Sequence, residues 1–254
     1  GPKGVLHCLE LETGKKRWMV DIRTRYSIGE NFFGTGATPL VTEGKLFCNL
    51  GGIRFITEGK RDGMAFAFDA KTGKELWRWG TWNPGHREQW WRLVPSPVVG
   101  GGVVLACAPK KAPVFAAKLG LKGSHSGKDG LAWETSKHPQ ITSDVPTPLF
   151  YKGKFYVLSD LKKAMSRMDP QTGEVEWTTS MPGKYKWRAS PTASGGIIYT
   201  MNHNGEVIVM SAKDGSILHT AKMGKTYDDN TRASVAISDG QLFVRTHEKM
   251  YCIE

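Results

Sequence analysis

Cysteine, acidic side chains and long apolar runs are all scarce in this 254-residue chain, and each scarcity removes a class of protein. The four cysteines, Cys8, Cys48, Cys107 and Cys252, form no CxxC pair and sit inside apolar strand-like runs. They read as buried small hydrophobes rather than metal ligands. Cys8 and Cys252 occupy equivalent positions of a repeat, so a bridge between them stays open and requires the two chain ends to meet. No run approaches the roughly 18 apolar residues of a membrane span, and no charged-then-apolar leader opens the sequence. Any membrane tethering would have to come from a region preceding Gly4. The seven histidines never fall at metal-ligand spacing, and no G-x-S-x-G, Walker or zinc pattern occurs, so neither a metal nor a nucleophile is supported. Only 24 Asp and Glu face 35 Lys and Arg, leaving a net charge of +11 that favours anionic partners.

What is abundant is a hairpin. Ala67-Phe68-Asp69 ends one strand, Lys71-Thr72-Gly73-Lys74 turns the chain at a glycine free to take positive φ, and Glu75 to Trp77 starts the next strand with a large aromatic anchor. Copies run from Leu9 through Thr13-Gly14 to Trp18 and from Met168 through Thr172-Gly173 to Trp177, with a worn copy from Met210 through Asp214-Gly215 to His219. A second signal, a tight turn between apolar strands, lies upstream of each hairpin. It begins at Thr38-Pro39, Ser96-Pro97, Thr147-Pro148 and Ser190-Pro191, with a variant at Ser234-Val235.

A period of about 40 to 50 residues with four short strands per unit is the pattern of a β-propeller blade. The predicted fold is therefore all-β, a propeller of four-stranded antiparallel blades with strands A to D. One domain over 1–254 holds about five of them, at 36–82, 91–137, 145–182, 188–223 and 231–254. Residues 5–20 supply the outer strands of an incomplete blade, and the last unit stops after its C strand, so the expectation is a piece of a longer, seven- to eight-bladed propeller. The second unit departs from the pattern. Leu131 to Lys137 lacks the Thr-Gly turn, and Lys110 to Gly130 reads as one long insertion.

Units ending in Ala-x-Asp-x-x-Thr-Gly-Lys-x-x-Trp, matched throughout by Ala67 to Trp77, resemble the PQQ-like (quinoprotein-type) β-propeller repeat. The resemblance implies docking contacts between adjacent blades made by the turn glycine and the tryptophan, carried over to Gly14 with Trp18, Gly73 with Trp77, and Gly173 with Trp177. At Gly215 it implies no such contact, because His219 replaces the tryptophan. It also implies one of two functional kinds. One comprises dehydrogenases holding pyrroloquinoline quinone (PQQ) and calcium above the propeller axis; the other comprises BamB-like non-enzymatic scaffolds of bacterial envelopes, in the periplasm or otherwise outside the cytoplasm.

A calcium-quinone site needs converging oxygen ligands and a carboxylate base. Candidates are Glu88, Asp144, Asp160, Asp228, Asp229, Asn202, Asn204 and Asn230, but no adjacent cysteine pair accompanies them. The expectation is a non-catalytic binding protein with no cofactor and no metal; the alternative is a PQQ- and calcium-dependent dehydrogenase or its remnant. The A–B and C–D turns are short and repetitive, whereas the B–C and D–A loops on the other face are long and varied. The predicted ligand-binding residues fall on that second face: His86, Trp90, Trp91, Arg92, Tyr185, Trp187, Arg188 and Arg232. Arg188 and Arg232 are expected in a cationic ring at the channel mouth, or in salt bridges to neighbouring blades. Five lysines without a carboxylate between Val103 and Lys128, together with Lys162 and Lys163, extend the positive surface. A protein, or an anionic polysaccharide or peptide, is the expected partner, with nucleic acid the weaker class.

Overall fold

The strands follow from alternation that is apolar on both faces. In a computed structural model, which describes residues 3–26, 35–53, 61–80, 93–108, 110–225 and 231–254, nearly all regular structure is antiparallel sheet. The first sheet pairs β1 (Val5–Leu9) with β2 (Lys16–Asp21) and is followed by a short helix, α1 (Ile22–Tyr26). The second runs β3 (Leu40–Thr42), β4 (Lys45–Ile53), β5 (Arg61–Asp69) and β6 (Glu75–Gly80). The third holds β7 (Val98–Gly100), β8 (Val103–Cys107) and β9 (Val114–Lys118), after which β10 (Gly123–His125) leaves for the second sheet and β11 (Leu131–Glu134) returns. The fourth is β12 (Leu149–Tyr151), β13 (Lys154–Ser159), β14 (Ala164–Met168) and β15 (Val175–Ser180), and the fifth is β16 (Thr192–Ser194), β17 (Ile197–Met201), β18 (Glu206–Ser211) and β19 (Ile217–Lys222). A three-stranded sheet of β20 (Ala236–Ser238), β21 (Gln241–Arg245) and β22 (Met250–Ile253) closes the described chain.

Each sheet packs on its predecessor and its successor. Along β4, Leu46, Cys48 and Leu50 face the first sheet while Phe47 between them faces the third. Along β8, Val104 and Ala106 look back at the second sheet, and Val103, Leu105 and Cys107 look forward to the fourth. The same split sends Phe155 and Val157 one way and Tyr156 and Leu158 the other. A strand buried on both faces reads as a continuous apolar run, which is why these B strands are mostly apolar between their ends, Asn49 of β4 being the exception. Face-to-face packing in chain order is the arrangement of propeller blades.

Two turns recur. The A–B turn has two residues, both left-handed, as at Lys152 (φ 47°) and Gly153 (φ 73°), the geometry whose twist matches antiparallel strands. In the C–D turn the Asp69 carbonyl accepts the Gly73 N–H at 2.9 Å, and its carboxylate accepts the N–H groups of Lys71 and Thr72 at 3.1 and 2.8 Å. Asp169 repeats these bonds, and the Lys154 ammonium, followed by the turn amides, holds its carboxyl down to about 2.

The Ser/Thr-Pro signals have a role that their turn-like composition did not suggest. Thr38 N–H donates to Ser96 Oγ at 2.9 Å, Ser96 N–H to Thr147 Oγ1 at 3.0 Å, and Thr147 N–H to Ser190 Oγ at 2.9 Å. The four heads of the A strands are thereby linked from sheet to sheet.

Two sequence expectations are corrected. Lys110 to Gly130 is not one insertion: it comprises a short B–C loop, the ordinary C strand β9, and a long C–D connection over 119–130. The cysteines are not uniformly buried. Cys48 and Cys107 are, and burial raises both thiols, Cys107 to about 12; Cys8 is half-buried and Cys252 exposed, and all four are free.

Candidate functional site

The face formed by B–C and D–A loops is crossed by a buried polar relay. Lys110 N–H donates to Asp144 Oδ1 at 2.9 Å, Asp144 N–H donates to Asp160 Oδ1 at 3.2 Å, and the Arg188 guanidinium meets Asp160 Oδ2 at 3.2 Å. These residues lie in the loops of the third, fourth and fifth sheets, so the relay ties three successive sheets at one end. Asp144 and Asp160 are 1% and 2% exposed. Burial, then the nearby Asp144 charge, raises the Asp160 carboxyl above its ordinary value, and Arg188 opposes the rise. Arg188 is thus in an inter-blade ion pair, the second of the two roles its sequence position allowed. Arg232 is exposed, and no described carboxylate lies within ion-pair distance of it.

Other predicted ligand-binding residues separate. Trp187 is fully buried, its indole N–H donating to Pro182 O at 3.1 Å and its main chain bridging Asn202, so it offers no ring face to a ligand. Tyr185 is half-buried with the Lys184 ammonium 5.4 Å from its ring centroid. His86, Trp90, Trp91 and Arg92 lie outside the described residues, as do Glu88, Asp228, Asp229 and Asn230.

The positive surface divides too. Lys110 and Lys111 precede β9 on the B–C side, but Lys118, Lys122 and Lys128 follow it on the C–D side, because one full strand separates them. Lys163 spends its ammonium on the carbonyls of Gly183 and Lys184, at 3.1 and 2.8 Å.

The tryptophans and turn glycines meet, but across sheets. The ring of Trp18 covers Gly73 so closely that a Cβ there would lie 2.8 Å from it, and its N–H donates to Ala70 O at 3.1 Å. Trp133 covers Gly173 in the same way and donates to Pro170 O at 2.8 Å; Trp177 covers Gly215 and donates to Lys213 O at 3.2 Å. Trp77 and Gly73 belong to one hairpin and make separate contacts, and nothing described lies within 4 Å of a Cβ on Gly14. Sequence reasoning missed Trp133 because its own hairpin lacks the Thr-Gly turn. It also discounted Gly215 because of His219. Neither feature matters when each ring docks on the glycine of the following unit.

Calcium and the quinone would need several free oxygen donors converging on one point. Asp160 already bears a guanidinium where a cation would sit, and Asn202 Oδ1 accepts the main-chain N–H groups of Asn204 and Glu206; among these candidate oxygens Asn204 Oδ1 is buried without a hydrogen-bond partner, and one such oxygen does not make a calcium site. Among the described residues no group of three or more His, Cys, Asp or Glu converges to hold a metal. The described residues therefore do not fit the dehydrogenase cofactor pair.

Sheets packed through both faces in chain order, with Trp18, Trp133 and Trp177 each seated on the next unit's turn glycine, define a β-propeller of PQQ-like repeats. A family model described as outer membrane protein assembly factor BamB matches residues 1–120 and 124–254, and the chain belongs to that family. It is also 40% identical, over 78 residues, to quinohemoprotein alcohol dehydrogenase ADH-IIG of Pseudomonas putida, a match covering 31% of this chain and 10% of that protein. Among solved structures, BamB from Moraxella catarrhalis superposes with a TM-score of 0.63 at 13% identity, covering 98% of this chain and 66% of that one. A europium-containing methanol dehydrogenase gives 0.65 at 13% identity, covering 95% and 58%. At such identities the structural likeness shows the fold alone. The chain spans less than two thirds of each of these relatives.

Proposed function

We propose that this chain is a non-catalytic scaffold of the bacterial envelope, acting outside the cytoplasm and presenting its B–C and D–A loop face to an acidic protein partner. The observation that carries the reading is the consumption of Asp144, Asp160 and the Asn202 side-chain oxygen in hydrogen bonds that hold loops and neighbouring sheets together. Groups spent on rigidity are poor candidates for a metal or a catalytic base, and they give a stiff frame for exposed cations such as Arg232, Lys184 and Lys186. Membership of the BamB family over almost the whole chain supports the same assignment. Among the described residues no helix is long and apolar enough to cross a membrane.

Chromatography of the chain on a polyanionic matrix across a salt series tests the reading. Retention should fall steeply with salt, and Arg232→Ala with Lys184→Ala should shift elution to lower salt. Salt-insensitive retention would remove the electrostatic part of the proposal. The 40% identity to a quinohemoprotein dehydrogenase favours a second reading, a PQQ-dependent enzyme or its remnant. Adding the quinone with calcium separates the two: a saturable bound-quinone absorbance with dye reduction would replace the scaffold assignment.

A further inference from the structure

The connection over residues 119–130 occupies the place where the other complete C–D hairpins have a tight turn. It carries β10 onto the outer edge of β6 as a parallel strand, with Gly123 opposite Trp77 and His125 opposite Trp79. The Trp79 indole N–H donates to Gly127 O at 3.1 Å, and Lys118 N–H donates to Gly130 O at 2.8 Å where the strap rejoins the sheet.

One side chain closes this strap on itself. His125 Nδ1 lies 2.7 Å from Asp129 Oδ2, and Nε2 lies 3.0 Å from the Lys122 carbonyl oxygen. A carboxylate and a peptide carbonyl are both acceptors, so each ring nitrogen must bring a proton. Neutral imidazole carries one N–H and imidazolium carries two. The closed strap is fully satisfied only by the charged ring.

We propose that residues 119–130 are a proton-operated latch: imidazolium His125 holds β10 on the edge of β6, and loss of its proton frees that edge and the Trp79 indole N–H. Arg78 stands opposite Ser124 on β6, but it is paired with Glu75 at 2.8 Å. Lys118, Lys122 and Lys128 are exposed, so their repulsion of the ring is screened by water, while Asp129 touches it directly. The Asp129 hydrogen bond accordingly raises the His125 pKa above its ordinary value, with the Lys122 carbonyl adding and burial opposing. A raised histidine stabilises the closed form fully below about 6.5 and ceases to do so as pH climbs through the folded-state value. The latch opens on the alkaline side. An open latch leaves β6 with unpaired N–H and C=O groups, the kind of edge to which an extended segment of another protein adds.

NMR titration of the whole chain tests this. His125 should titrate above 6.5, and the Trp79 indole N–H should shift with the same midpoint. Its protection against exchange should drop up to about tenfold for each unit of that elevation. In Asp129→Asn the midpoint should return to about 6.5 or below, and Trp79 protection should be low at every pH. The wild-type titration decides alone if that variant misfolds. A Trp79 signal and strap amides unresponsive across the His125 titration, or a midpoint at or below 6.5, would overturn the latch.

Discussion

The junction between the third and fourth sheets and the junction between the second and third solve one packing problem in two ways. At the former, Trp133 rests on Gly173 of a five-residue turn and is tied to Pro170 O at 2.8 Å. At the latter the following unit has no such turn, and Trp77 and Trp79 of β6 are flanked by the strap that carries β10. The first solution is local: the absence of a side chain at one position admits an indole. The second is built from sequence far outside the hairpin and uses a strand edge, a histidine and an indole hydrogen bond. The turn solution can be copied from unit to unit, whereas the strap solution is particular to one place and can respond to conditions.

Breaking the turn solution should give the largest effect. Trp133→Ala should cost about 3–5 kcal/mol in denaturant unfolding, the range for emptying a packed indole site. Gly173→Ala places a Cβ 2.6 Å from that ring at a φ of +73°, and should cost about 2–4 kcal/mol from overpacking and left-handed strain together. Gly14→Ala sharpens the comparison. Its φ of +68° brings the same strain with nothing described within 4 Å, so a loss of only about 1–2 kcal/mol is expected. An equal loss at both glycines would mean that the ring contact contributes nothing. On the strap side, Trp79→Phe removes the bond to Gly127 together with part of a fully buried ring and should cost about 1–2 kcal/mol, with faster exchange of strap amides as the readout.

The smallest effect concerns acid. Asp169 is held down to about 2, so its stabilisation is complete above the ordinary carboxylate value and disappears as pH falls from about 4 through about 2. The group is partly exposed and screened, which keeps the contribution below about 1 kcal/mol. Asp169→Asn should flatten that stretch of the stability–pH curve and lower neutral stability by the same small amount, below about 1 kcal/mol.

Much of this architecture was legible in the residues. Alternation apolar on both faces, the Asp-x-x-Thr-Gly turn and the spaced tryptophans identify blades because they express local chemistry: pleat, left-handed φ and indole area. Contact partners were less legible. Nothing in the hairpin from Ala67 to Trp77 says that its glycine receives Trp18 from the preceding unit. Trp187 and Arg188 sit in a run of cations and aromatics that reads as a binding surface, yet tertiary packing buries the first and pairs the second with Asp160, 28 residues away. The ladder through Ser96, Thr147 and Ser190 was hidden for a related reason, since a Ser/Thr-Pro pair is ordinary turn composition and reveals its acceptor only when two units stand side by side.

That ladder bears on how such a chain could lengthen. Each rung uses one main-chain donor and one hydroxyl oxygen, so serine and threonine serve equally, and the proline that follows adds no competing N–H. The two middle units, headed by Ser96 and Thr147, therefore carry a plug on one side and a socket on the other. A duplicate of either would find both neighbours already equipped to receive it, so that for these units growth by tandem copying needs only register.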